Sequence, residues 1–281
     1  MGKHVVALLG GRGMLGTELA AACRRRGYEV RVHDLPEFDI SDIEHLRKAA
    51  DGADVILNCA AYTNVDGAES QSQLAHRVNA EAVGRLGEVA RKGGKWVLHF
   101  GTDFVFDGRL DRPYVETDEP NPISEYGRSK LAGERLLQAS GCAHCIVRLE
   151  WTYGANGNNF ITKLIQRATA NGAVSVVDDQ VGAPTAVAEV AKVACRMMEG
   201  RITGLYHFAS AGYASRYDVA AFVFDRLSRP VDLRRCRTSD YPSPAARPLN
   251  SRFHCGKIQA LLDAPIAPWQ EPLELYLRQL P

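Results

Sequence analysis

Tyr126 stands four residues before Lys130 in "EYGRSKLAGE" (125–134). Residues at i and i+4 share a helix face, so the two side chains meet if this stretch is helical. A free phenol ionises near pH ~10 and gives up its proton reluctantly. A lysine ammonium held beside it stabilises the phenolate and lowers that value. Such a tyrosine can protonate a carbonyl oxygen while a hydride arrives at the carbon. None of the other nine tyrosines has a lysine four places later. The spacing alone also describes an ordinary amphipathic helix surface, so the rest of the chain must supply the hydride donor.

"GGRGMLG" (10–16) supplies it. Its glycines have the spacing Gly10-x-x-Gly13-x-x-Gly16. The loop follows an apolar run and opens an amphipathic one, where a pyrophosphate meets backbone N–H groups and the positive end of a helix. Gly10 makes the turn, Gly13 lets backbone approach phosphate, and Gly16 lets helix and sheet pack closely. The expected dinucleotide contacts are therefore Gly10, Arg12, Gly13, Met14, Leu15 and Gly16. Asp34 closes the second strand, where an acid accepts from the ribose 2′-OH and favours NAD(H). Arg12, Arg31 and His33 instead suit the 2′-phosphate of NADP(H), and both cofactors stay open at this point. Asp39 and Ile40 are placed to flank the adenine.

Thr102 lies in "HFGTDFVFDG", at the carboxyl end of a strand. Ligands of open α/β sheets bind at that edge. A hydroxyl there can hydrogen-bond a carbonyl oxygen as charge develops on it. Asp103 beside it reads as a turn former.

The elements that must position these groups are legible. Apolar runs at 4–10, 28–34, 54–61, 95–103 and 142–151 read as strands. Helical patterns at 11–27, 39–50, 75–94 and 124–140 separate them, with Ser41 and Glu44 forming a capping box before the second. This alternation is that of an α/β doubly wound parallel sheet, a Rossmann fold. Residues 1–150 are expected to form the dinucleotide-binding domain, with 173–202 returning to it. Residues 151–172 and 203–281 are expected to form a small substrate-binding lid over the sheet's carboxyl edge. The chain of 281 residues has a net charge of +1, which favours neither nucleic acid nor an anionic membrane. Basic runs at 24–26 and 234–237 read as solvated surface. No apolar stretch has the length of a membrane span. Seven scattered cysteines, with Cys142 and Cys145 lacking partners at zinc spacing, are read as reduced, and the compartment as cytoplasmic.

Eight stretches carry a resemblance: "GGRGMLG", "DVILNCAAYTNVDGAES", "GTDFVFDG", "ISEYGRSKLAGE", "WTYGANGNNF", "DDQVGAPT", "GLYHFAS" and "YPSPAARPLNSR". The chain resembles the dTDP-4-dehydrorhamnose reductase family of the extended short-chain dehydrogenase/reductase superfamily, almost end to end. The resemblance implies that Thr102, Tyr126 and Lys130 are catalytic. It implies hydride transfer from NAD(P)H to the C4 ketone of a dTDP-4-keto-6-deoxy sugar, in this family dTDP-4-dehydro-L-rhamnose. Tyr126 would protonate the oxygen, and Lys130 would also bind the nicotinamide ribose. Ala60, Ala61 and Tyr62 would touch the cofactor. Thr63, Val65, Thr102, Phe104 and Trp151 would touch the sugar, with Asn159 and Arg247 toward the nucleotide. Some relatives dimerise around Mg2+ held by carboxylates, and Glu18 and Glu189 match two of those positions. Two departures stand out. Gly101 and Phe104 replace a serine and a tyrosine, and Glu150 replaces a small hydroxyl residue, which makes it a buried carboxyl needing a partner. The alternatives are a reductase of a different dTDP-4-keto sugar, and a non-catalytic regulatory subunit of the kind that binds methionine adenosyltransferase.

Overall fold

The computed structural model describes residues 4–280. Six strands form one all-parallel sheet: β1 Val5–Leu9, β2 Glu29–His33, β3 Val55–Asn58, β4 Trp96–Thr102, β5 His144–Leu149 and, past β6 (Ala173–Val177), β7 Gly204–Phe208. Their order is β7-β5-β4-β3-β1-β2. β1 and β3 to β5 are apolar nearly throughout because both faces of the sheet are covered. Val6 and Leu8 face one core with α1 (Met14–Arg25), while Ala7 and Leu9 face another with α2 (Ile43–Ala50) and α3 (Ala82–Lys92). The chain reverses direction along the sheet between β1 and β3, which opens a crevice at their carboxyl ends. α4 (Glu125–Ala139) follows β4, and Ser124 caps it by accepting from the Gly127 N–H.

α2 is capped differently from the expectation. Asp42, not Ser41, accepts from the Glu44 and His45 N–H groups, and Ser41 Oγ donates to Asp39 instead. A π-helical turn, Arg77–Glu81, precedes α3. There Asn79 turns inward to hold the backbone of Tyr62 at both N–H and C=O.

A third core lies outside the sheet's two faces. It joins Tyr153, α5 (Phe160–Asn171), β6, α7 (Arg216–Arg226) and α8 (Gln270–Leu277). Two strands fall on the other side of the expected division. β6 does not return to the large sheet but pairs with β8 (Asp232–Cys236). β7, expected in the lid, is the edge strand beside β5. The reason is local. Tyr206 and Phe208 of β7 pack into the sheet's own core, while Val174 and Val176 of β6 face the third. α6 (Val187–Glu199) packs on α1 under the sheet.

Candidate functional site

The crevice is one continuous cleft of about 800 Å3 at the carboxyl edge of the sheet. Gly10, Arg12, Gly13, Met14, Leu15, Gly16, Asp34, Asp39 and Ile40, the residues expected to contact the dinucleotide, line one end. Two of the glycines are obligatory. Gly10 sits at φ 72°, and a Cβ there would meet the Ala60 backbone nitrogen at 2.5 Å. A Cβ on Gly16 would lie 2.2 Å from the Gly10 carbonyl oxygen. Gly13 caps α1 with no side chain, and no acidic residue stands in the first turn. The first N–H groups of α1 therefore face the cleft with no intrachain anion, which is a fit for a pyrophosphate. The Arg12 N–H donates to Asp34 Oδ2 at 2.7 Å and the Leu35 N–H to Asp34 Oδ1 at 2.8 Å. The Arg12 guanidinium lies on Leu35 O and Glu37 at this end. Arg31 and His33, the other candidates for a 2′-phosphate, do not line the cleft; Arg31 turns to Glu29 and the Asp51 carbonyl.

At the middle of the cleft β4 and α4 bring Thr102, Tyr126 and Lys130 together. Lys130 is buried and its Nζ donates to the Phe100 carbonyl at 2.7 Å. Burial pushes its pKa down to about 8, against the opposing carboxylate of Glu134 one turn on. Glu134 is itself held by a bidentate, buried pair with Arg148, 2.7 Å at the shorter contact. Tyr126 is pushed up to about 12, by burial first and by Asp103 second, with a smaller opposing effect from the Thr102 hydroxyl. The expected lowering of the phenol by Lys130 is absent. The ammonium is committed to a backbone carbonyl, and burial dominates the phenol. The consequence is a phenol fully protonated at neutral pH, the form a proton donor needs.

Asp103 does open a turn, the 3-10 segment Asp103–Val105, but its side chain has a further role in the core. It is 3 % exposed, and it accepts from Thr102 Oγ1 at 3.0 Å and from Ser251 Oγ at 2.5 Å. Burial raises its pKa, and both hydroxyls oppose that. A β-strand end supplies the threonine, and a segment 148 residues away supplies the serine.

Ala60, Ala61, Thr63 and Val65 line the wall after β3, and Phe104 and Trp151 the far end. Phe104 stands edge-on to the Tyr126 ring, 5.5 Å between centroids. Three expected contacts lie elsewhere. Tyr62 points its hydroxyl at Gln71. Asn159 is spent inside the fold: it caps α5, accepting from Ile161 and Thr162 N–H, and donates to Gly154 O. Its neighbour Asn158 lines the cleft instead. Arg247 is tied to Asp66 at 2.9 Å, Ser243 at 2.6 Å and Ala245 O at 3.0 Å. Glu150 is fully buried with neither carboxyl oxygen in good hydrogen-bond geometry, and burial first and Asp103 second push its pKa well up, against the Ala183 and Phe253 backbone and Arg216. Sequence reading missed Arg216, the first residue of α7, which lines the cleft with its guanidinium 3.5 Å above the Trp151 ring centroid. No spacing marked it, because its neighbours in the cleft come from β4, β5 and the loop after it.

The carboxylates matched to a magnesium site do not fit one within the chain. Glu189 pairs with Lys192 at 2.7 Å, and among the described residues no group of three or more His, Cys, Asp or Glu is placed to hold a metal. The seven cysteines are free. Arg234 pairs with Asp232, and Arg235 and Arg237 with Asp178. No helix among the described residues is long and apolar enough to cross a membrane.

Comparison with known proteins gives a consistent set of relatives. The family described as RmlD substrate binding domain matches residues 4–281. The dTDP-4-dehydrorhamnose reductase of Salmonella typhimurium is 38% identical over 240 residues, covering 81% of this chain and 80% of that protein. The reductase of the same name from Escherichia coli is 34% identical, covering 98% of this chain and 97% of its own. Among solved structures, dTDP-4-dehydrorhamnose reductase of Bacillus anthracis in complex with NADP superposes with a TM-score of 0.95 at 30% identity, over 100% of both chains.

Proposed function

Because the chain belongs to the dTDP-4-dehydrorhamnose reductase family, we propose that it reduces the C4 ketone of a dTDP-4-keto-6-deoxy sugar, dTDP-4-dehydro-L-rhamnose, with NADP(H). One observation carries the reading. A protonated tyrosine, a strand-end threonine and a buried lysine stand together in the cleft whose other end is an uncapped glycine loop.

The nicotinamide cofactor supplies the hydride when bound. Gly10, Gly13 and Gly16 give the α1 N-terminus room and free N–H groups for its pyrophosphate. Arg12 is the residue for a 2′-phosphate. Its pair with Glu37 is solvent-exposed and therefore weak enough to exchange. Lys130 holds the nicotinamide ribose, anchored by Phe100 O. Tyr126 donates its proton to the C4 oxygen as charge develops there, and Thr102 hydrogen-bonds the same oxygen. In the ligand-free arrangement Thr102 gives its proton to Asp103. A protonated Asp103, which burial favours, would reverse that bond and free the threonine proton for the substrate. The neighbouring core of α5, β6, α7 and α8 carries Arg216 to the cleft and is the natural sugar-nucleotide cap.

The test is NADPH and NADH oxidation with dTDP-4-dehydro-L-rhamnose generated in place. Turnover with wild-type enzyme, NADPH preferred and the preference reduced in Arg12→Ala, supports the reading. Cofactor binding without turnover on this sugar would reject the substrate. A regulatory subunit would also bind cofactor, but it would turn over no 4-keto sugar.

A further inference from the structure

Arg216 is the cleft's unspent cation. Its side chain makes no hydrogen bond and has no carboxylate within salt-bridge distance among the described residues, yet it lies on the cleft wall. The other basic groups there are engaged, Arg12 by Leu35 O and Glu37, Lys130 by Phe100 O. Arg247, the arginine that the sequence assigned to the nucleotide, is committed to Asp66, Ser243 and Ala245. The two carboxyls nearest in charge to Arg216 do not claim it. Asp103 is engaged by Thr102 and Ser251, and the Glu150 carboxyl oxygens, buried in the fold, make no hydrogen bond to it.

The setting of this guanidinium is built. Trp151 holds φ 45°, a backbone region that non-glycine residues seldom occupy. Gly182 makes room for its ring, since a Cβ there would come within 2.7 Å of the indole Cε2. The Arg216 guanidinium lies over that indole and 4.9 Å from the Phe160 ring centroid. Aromatic faces hold a guanidinium by cation–π attraction without using its N–H donors. All five donors therefore remain for a ligand. A planar guanidinium on a rigid plate matches the bidentate geometry of a phosphate.

We infer that Arg216, seated on Trp151, is the contact for the diphosphate of the nucleotide-sugar substrate. This rests on the reading of the cleft as a nucleotide-sugar reductase. The cofactor's pyrophosphate has its own receptor in the open N-terminus of α1, whereas Arg216 belongs to the cap at the Trp151 end. Burial lowers the guanidinium's pKa to about 10, so it remains charged at neutral pH and gains from an anion.

The experiment compares dTDP, thymidine and NADPH binding by calorimetry in wild type, Arg216→Gln and Arg216→Lys, each checked for folding by its thermal midpoint. A charged hydrogen-bonding pair lost at such a site weakens dTDP by about 10- to 100-fold. We expect that loss in Arg216→Gln, a smaller one in Arg216→Lys, and no change for thymidine or NADPH. The dTDP affinity should also lose part of its salt dependence. Equal dTDP affinity in Arg216→Gln overturns the inference. So does an equal loss for thymidine, which would mean that the arginine only shapes the Trp151 surface, and so does a loss confined to NADPH. If Arg216→Gln does not fold, Arg216→Lys decides by the same comparison. A wild type that binds NADPH but neither dTDP nor thymidine would remove the nucleotide-sugar reading itself, and the inference with it.

Discussion

Burial sets the protonation state of each reacting group, and each state can be tested. With its phenol held near 12, Tyr126 is a donor at every physiological pH. Tyr126→Phe removes the proton and little else, because the ring still meets Phe104. Turnover should fall by about 10²- to 10⁴-fold in steady-state kinetics, with NADPH affinity nearly unchanged. Surviving turnover would assign the proton to another group. Lys130 loses its charge as pH rises through about 8 in the free enzyme. kcat/KM for NADPH reports free-enzyme groups, so it should decline above that pH. In Lys130→Arg the decline should move to higher pH, since a guanidinium stays charged. A decline that does not move belongs to another residue. Glu150 is the opposite case, an acid whose folded pKa lies above its unfolded one. Ionising it disfavours the fold, so its contribution worsens as pH rises above ~4.5 and is relieved as pH falls back toward that value. Chemical denaturation of wild type and Glu150→Gln at several pH values should show the wild type gaining relative to the variant as pH falls. A pH-independent difference would mean that Glu150 is ionised or paired.

At the scale of elements, Gly101 shows how neighbouring pieces fix one another. It sits on β4 opposite Arg148 of β5, below α4. A Cβ there would lie 2.2 Å from Glu134 Oε1 and 2.8 Å from Arg148 Cγ. Both side chains are buried and clamp each other, so neither can step aside without breaking the pair. Gly101→Ala should therefore destabilise by about 3 kcal/mol or more, read as a lower denaturation midpoint, because a broken buried pair leaves charges uncompensated. A neutral result would show that the pair has slack. The sequence marked Gly101 as a departure but gave no reason, since its reason is a pair assembled from α4 and β5. The same limit explains the other misses. Strand, glycine loop and Tyr-x-x-x-Lys are local patterns, and all were legible. The resemblance assigns Asn159 to the nucleotide, but residue type alone does not show which of the adjacent Asn158 and Asn159 caps α5 and which faces the cleft. β6 read as a sheet strand because its alternating valines suit either core.

At the scale of the molecule, the stretch "YPSPAARPLNSR" works as a strap across the carboxyl edge. Arg247 and the Ala245 N–H bind Asp66, the residue after Val65 of the cleft wall. Asn250 donates to the carbonyls of Leu110 and Arg112 in the loop after β4. Leu249 and Ser251 exchange backbone hydrogen bonds with Val181, which ties the strap to the "DDQVGAPT" segment beside Trp151. Pro248 lies against Gly108, where a Cβ would approach within 2.8 Å. The strap thus joins the cap to the loop carrying Asp103, and Ser251 is its link to the reacting centre. Removing that hydroxyl leaves a buried Asp103 oxygen without its donor, a penalty of about 1–3 kcal/mol. The functional effect falls on the sugar side only, because the glycine loop and Lys130 make no contact with the strap through these bonds. Ser251→Ala releases the Asp103 carboxyl from its anchor and so misplaces the Thr102 hydroxyl it holds, and kcat/KM for the keto sugar should fall by about tenfold or more. NADPH affinity should hold, and Ser251→Thr should restore much of the loss by restoring a hydroxyl. Equal losses in sugar and cofactor would mean that the strap supports the whole sheet edge rather than Thr102 and Asp103, and the division of labour between cap and sheet would have to be redrawn.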